Sequence, residues 1–169
     1  ALRRCGAKPG DLVYVTGCVG EAGLGLKMRQ GMVDISDTAA LHHFERPEPR
    51  IDIGLALRGI ATACIDVSDG VAADLGHILE QSAVGATLDW QALPLSDAVR
   101  RYCLDHDDWR MPLVSGDDYE LCFTVPPDHA AFLPPDCHCI GRIDAEAGLR
   151  IRRDGQLHTL EIKGYEHFS

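Results

Sequence analysis

The chain has 169 residues, 46% hydrophobic and 25% charged, the balance of a globular protein and not of a disordered or fibrous one. That length suits a single domain burying about 70% of the surface its unfolded form exposes. A net charge of -10 excludes a broad basic footprint, so nucleic acid is not an expected partner, and no run approaches the roughly 18 apolar residues of a membrane span.

The first residues, Leu2-Arg3-Arg4 and the turn-like Gly6-Ala7-Lys8-Pro9-Gly10-Asp11, carry no initiator Met and no apolar signal core. The expectation is a piece of a longer, cytoplasmic protein. Leu12 to Gly17 alternates and is rich in β-formers, so it reads as a strand ending at a glycine. The glycine-rich segment from Cys18 to Leu26 fits either a loop or the frayed start of a helix. With few apolar anchors to offset ordering entropy, local disorder is expected across residues 18–34. Gly17-Cys18-Val19-Gly20 lacks the lysine and hydroxyl of a P-loop, which favours a turn over a phosphate cradle.

Pro47 and Pro49 mark His42 to Arg50 as a linker. Ile53 to Ala63 has helical apolar spacing, and Cys64 to Val67 is a short β-prone run. After Ser68-Asp69-Gly70, the residues Val71, Leu75, Ile78 and Leu79 share one face of a helix ending near Ser82. Gly85 to Asp89 reads as a strand, Leu95 to Leu104 as a helix, and Leu121 to Val125 as a strand stopped by Pro126-Pro127. Cys139 to Ile143, Leu149 to Arg152 and Leu157 to Ile162 complete the strands. Strands and helices without strict alternation predict an α+β fold, a mixed sheet packed with helices, as one domain over 1–169.

Seven cysteines lie mostly in apolar runs and read as reduced thiols. Cys137-His138-Cys139 invites a zinc reading, but ligands so close in sequence converge poorly, and no second Cys or His pair stands at zinc-site spacing.

Three clusters carry chemistry. In Ile65-Asp66-Val67-Ser68-Asp69-Gly70, Ser68 or Asp69 has a structural use as a helix cap. Asp66 sits inside an apolar run, where a buried carboxylate needs a partner or a metal. Two carboxylates and a hydroxyl at a strand end facing a helix N-terminus suit a hard cation and phosphate oxygens. Ser115-Gly116-Asp117-Asp118-Tyr119-Glu120 either binds cations or a substrate amine, or is a solvated acidic turn. The aromatics of Gly164 to Ser169 either latch the terminus to the core or stack on a flat ligand.

In sequence order, Ala1 to Gly17, Ile65 to Gly70, Ser115 to Phe123, Ile140-Gly141-Arg142-Ile143 and Gly164 to Phe168 resemble the thiamine-monophosphate kinase family. That family groups with aminoimidazole ribonucleotide synthetase and selenophosphate synthetase. The resemblance implies a carboxy-terminal domain of a kinase that transfers the γ-phosphoryl of ATP to thiamine monophosphate, with Mg2+ bound and no catalytic side-chain nucleophile. It implies that Asp66 helps bind a magnesium ion and Asp69 contributes to another metal, that Arg4 and Ser68 contact ATP, and that Asp117 and Tyr165 contact the substrate. Asp117 stands where the family more commonly has glutamate, and Ser115 where it has glycine. The resemblance further implies a homodimeric full-length protein and a separate amino-terminal domain without counterpart here, so that the chain alone is expected to be inactive. The alternatives are a related ATP-dependent enzyme acting on another small molecule, or a non-catalytic ligand-binding module.

Overall fold

The computed structural model describes residues 3–31 and 51–160. Seven strands form one mixed sheet: β1 (Leu12–Thr16), β2 (Ala63–Asp66), β3 (Gly85–Asp89), β4 (Leu121–Val125), β5 (Cys137–Asp144), β6 (Gly148–Arg153) and β7 (Gln156–Thr159). Their order across the sheet is β2-β4-β1-β5-β3-β6-β7. All neighbouring pairs are antiparallel except β3 with β6, and a register shift between Val13 and Tyr14 bends β1 against β5. Among the described residues the α-helices are α1 (Glu21–Arg29), α2 (Ile51–Ala56), α3 (Val71–Ser82), α4 (Asp97–Asp105) and α5 (Met111–Val114). The expected α+β architecture is therefore the one found.

Alternation sorts the strand side chains onto two faces. Val13, Val15, Ala63, Ile65, Ala86, Leu88 and Ile140 join Val71, Leu75, Ile78 and Leu79 of α3 and Val99 and Tyr102 of α4 in the main core. Burying each Leu or Ile there stabilises the fold by about 1.5–3 kcal/mol. On the second face, Cys64, Leu121, Phe123 and Val125 pack with Leu57, and Tyr14 stacks on Phe123 with ring centroids 5.6 Å apart. α4 starts at a serine cap, the Val99 amide donating to Ser96 Oγ at 3.3 Å.

Two expectations change. The glycine-rich segment expected to be disordered is helical over Glu21–Arg29, with Ala22 and Leu24 buried, because packing against the body of the domain supplies the anchors its composition lacks. Residues 32–34 and the proline linker at 42–50 lie outside the described residues. The helix expected over Ile53 to Ala63 stops at Ala56, for tertiary reasons. Leu57 and Ile60 pack under Phe123 from a turn, and the Thr62 amide already donates to the Thr124 carbonyl at 2.8 Å. In β5, alternation turns His138 away from Cys137 and Cys139, and His138 Nε2 instead meets Asp136 Oδ1 at 3.2 Å.

Among the described residues, no helix is long and apolar enough to cross a membrane.

Candidate functional site

Strands β1, β2 and β3 run in one direction, antiparallel to β4 and β5, so their carboxyl ends share a sheet edge with the start of β4. There the ladder between β2 and β4 continues into both flanking loops. The Val67 amide donates to the Glu120 carbonyl at 2.7 Å, the Tyr119 amide to the Val67 carbonyl at 3.1 Å, and the Asp117 amide to the Ser68 carbonyl at 2.9 Å. Two segments far apart in sequence, 66–69 and 116–120, thus behave as one hydrogen-bonded unit.

Contact this close sets a steric condition. A Cβ on Gly116 would stand 2.5 Å from the Ser68 carbonyl oxygen, and one on Gly23 in α1 would stand 2.4 Å from Ser115 Cβ. Asp117 and Tyr119 adopt left-handed backbone at φ 65 and 56. For residues with a Cβ this costs about 1–2 kcal/mol each. The result is an alternation: Asp117 and Tyr119 are exposed, while Asp118 and Glu120 are buried.

The buried acids brace the site from below. Asp118 accepts from the Gly20 amide at 3.0 Å and the Ala22 amide at 3.2 Å, so a carboxylate of the protein itself occupies the amino-terminal end of α1. Those amides are spoken for, in keeping with the turn reading of Gly17 to Gly20. Glu120 accepts from the Thr16 hydroxyl at 2.5 Å, and Thr16 Oγ1 in turn accepts from the Leu121 amide at 2.9 Å. Asp74, in the first turn of α3, accepts from the Ser68 and Asp69 amides at 2.7 and 2.8 Å through one oxygen. Burial pushes the Asp74 carboxyl up, and those two amide bonds pull it back only in part.

These contacts correct two expectations. Neither Ser68 nor Asp69 caps α3: Gly70 is the capping residue and no side chain bonds there. The loop is held by Asp74 instead, which leaves both side chains exposed at the sheet edge. Asp66 is not buried either, because it is the last residue of β2 and its alternation carries it out of the core.

The structure brings Asp66, Ser68, Asp69 and Asp117 to the same edge. Arg4 is exposed: its carbonyl accepts from the Ser82 hydroxyl at 3.5 Å at the end of α3, and the carbonyl of Arg3 before it accepts from the Cys64 amide at 2.7 Å, two residues before Asp66 in β2. Tyr165 lies outside the described residues. Asp74, Asp118 and Glu120 were not singled out from sequence, although Asp74 left a sign. At 71, 74, 75 and 78 it falls on the apolar face of α3, where a charge has no use without a partner.

Oxygen-rich side chains at this edge suit a hard divalent cation. Ligating atoms of Asp69, Asp74 and His77 lie within 4.8 Å of one another, and among the described residues no ion pair neutralises Asp66 or Asp69. Asp66 is not in that group; the exposed carboxylates of Asp66 and Asp69 are themselves the hard oxygen donors that a magnesium ion takes.

The family model described as AIR synthase related protein, C-terminal domain, matches residues 8–153. The thiamine-monophosphate kinase of Salmonella typhimurium is 45% identical over 181 residues, covering 100% of the chain and 56% of that protein. That of Pyrococcus abyssi is 35% identical over 172 residues, covering 99% of the chain and 53% of the relative. The chain thus spans about half the length of the curated relatives it matches. Among solved structures, thiamine-monophosphate kinase from Stenotrophomonas maltophilia K279a has a TM-score of 0.79 at 38% identity, covering 92% of the chain and 54% of its own. AaThiL complexed with AMPPCP and TMP has a TM-score of 0.80 at 31% identity, covering 95% of the chain and 52% of its own. E. coli HypE, a hydrogenase maturation protein, shares the fold at a TM-score of 0.74 and 22% identity, covering 95% of the chain and 52% of its own.

Proposed function

Since the chain belongs to the AIR synthase related protein family, as its C-terminal domain, we propose that it supplies part of the active site of an ATP-dependent kinase that converts thiamine monophosphate to thiamine diphosphate. The observation that carries this reading is the joining of the Asp66–Asp69 loop to the Asp117 loop by main-chain hydrogen bonds. It sets two exposed carboxylates and a hydroxyl beside the position where the resemblance puts a substrate contact. The likeness to kinases of this name, and to a relative complexed with AMPPCP and TMP, supports the assignment of both ligands.

In this account Asp66 would help hold one magnesium ion and Asp69 another metal, the Ser68 hydroxyl contacts ATP, and Asp117 contacts the acceptor. Tyr165 is proposed as a further substrate contact and Arg4 as a further ATP contact. An oxygen of the acceptor phosphate forms a bond to the γ-phosphorus of ATP as the bond to the β–γ bridging oxygen breaks, and ADP leaves. Phosphoryl transfer needs positioning and charge neutralisation more than a side-chain nucleophile, which suits a site built from carboxylates and braced loops. A magnesium ion held by Asp66 would supply the neutralisation of phosphate charge that the transfer needs. Asp74 holds the Ser68–Asp69 backbone, and Asp118 ties the Asp117 loop to the start of α1. The complete protein is proposed to act as a homodimer in the cytoplasm.

The test is a substrate panel with the protein at its full natural length. Transfer from ATP to thiamine monophosphate, with thiamine and aminoimidazole ribonucleotide as poor acceptors, is the expected outcome. Preference for another acceptor would assign the site to a different ATP-dependent enzyme of the same family.

A further inference from the structure

We propose that the ring of Tyr119 is a binding face for the flat, positively charged heteroaromatic ring of the acceptor, an inference that rests on the kinase reading above and deepens it. Tyr119 holds left-handed backbone at φ 56, a conformation that bulky side chains avoid, and the residue is 39% exposed. Strain of this kind persists only where the surroundings enforce it, and it clusters at functional sites.

The enforcement is visible on both sides. The Tyr119 amide is fixed to the Val67 carbonyl, and its neighbours Asp118 and Glu120 are buried and anchored to α1 and to Thr16. Among the described residues the Tyr119 side chain makes no ring contact and its hydroxyl no hydrogen bond, so the strain places an aromatic surface at the sheet edge.

What that surface favours follows from charge. The Tyr119 backbone pairs with Val67, between Asp66 and Ser68, and Asp117 is exposed two residues before it. An aromatic face carries negative electrostatic potential, and exposed carboxylates around it add to the same sign. A cationic ring such as a thiazolium gains from both. A neutral nucleotide base gains only stacking. The ring is therefore assigned to the acceptor and not to ATP.

The test compares wild type, Tyr119→Phe and Tyr119→Gly at full natural length, reading KM for thiamine monophosphate, KM for ATP and thermal midpoint. Tyr119→Phe keeps the ring face and should keep both KM values. Tyr119→Gly relieves the left-handed strain and removes the ring. It should raise KM for thiamine monophosphate about tenfold, leave KM for ATP unchanged, and leave the midpoint unchanged or higher. An unchanged acceptor KM in Tyr119→Gly overturns the inference while the kinase reading stands. So does a rise confined to KM for ATP, which would assign the ring to the base, or a lowered midpoint with both KM values raised, which would make it structural. A wild type that transfers nothing to thiamine monophosphate overturns the kinase reading and the inference together.

Discussion

Gly116 has no side chain because the Ser68 carbonyl oxygen stands where its Cβ would be, 2.5 Å away. Gly116→Ala must push segments 66–69 and 116–120 apart, breaking the hydrogen bond of 2.9 Å from the Asp117 amide to Ser68. Because productive geometry tolerates displacements of well under 1 Å, we expect kcat/KM to fall about 100-fold while the thermal midpoint drops by only a few degrees. Steady-state kinetics beside a melting curve checks this. Equal activity in the variant would mean that the two loops need not be joined. At this scale Ser68, Asp69 and Asp117 were legible as polar residues flanking apolar runs, positions that fall at sheet edges, whereas Asp66 reads from sequence as lying inside such a run and is exposed at the end of β2. The bracing roles of Asp74, Asp118 and Glu120 were not legible, since each is defined by a backbone amide or hydroxyl from a distant segment that no local pattern reports.

Elements depend on these distant contacts as well. α1 is weakened by Gly23 and Gly25 and has no side-chain cap of its own, yet the buried Asp118 carboxylate serves its Gly20 and Ala22 amides. Asp118→Asn keeps the shape and loses the charge. It should destabilise the domain by about 1–2 kcal/mol, or about 3–6 °C in thermal midpoint, with early loss of amide-exchange protection in α1. Undiminished protection there would contradict the role. This is why disorder was the expected outcome for a segment that is in fact helical: the stabilising group lies 96 residues away from Ala22. In the sheet, Asp144 joins β5 to β3 and β6 by accepting from Thr87 at 2.5 Å and Arg150 at 3.0 Å, with Arg142 Nε at 3.2 Å. Burial raises its carboxyl, but these three hydrogen bonds outweigh burial and hold it below its ordinary value. A carboxyl lowered in this way contributes stability above the unfolded value of 3.8, and that stability is lost as pH falls through the folded value. Asp144→Asn should therefore cost about 1 kcal/mol at pH 7 and progressively less below about pH 4. Urea titrations at pH 7 and pH 3 measure the difference, and an equal loss at both pH values would contradict it.

For the molecule as a whole, the α+β class and most strands were legible because period-2 runs bounded by Gly and Pro are local signals. The strand order was not, since β1 pairs with β4 and β5 across more than a hundred residues. The seven cysteines are free thiols, as expected. Cys5 and Cys139 are exposed, whereas burial, aided by Asp66, pushes Cys64 up to about 12, and burial also lifts Cys103 to about 11 and Cys122 higher still. Iodoacetamide at pH 8 should accordingly modify Cys5 and Cys139 in the native protein and reach Cys64, Cys103 and Cys122 only after denaturation, as mass spectrometry of the digests would reveal. Prompt modification of Cys122 would mean that the main core opens readily. The central claim, that the joined loops at the end of β2 are part of a magnesium-dependent phosphoryl-transfer site, is tested most directly by one comparison. Thiamine-monophosphate phosphorylation is measured across a magnesium titration for wild type and Asp66→Asn at full natural length. The account predicts magnesium-dependent transfer in the wild type, and in the variant a loss of about 100-fold or more with a higher magnesium requirement; a variant matching wild type in both rate and magnesium dependence would contradict it.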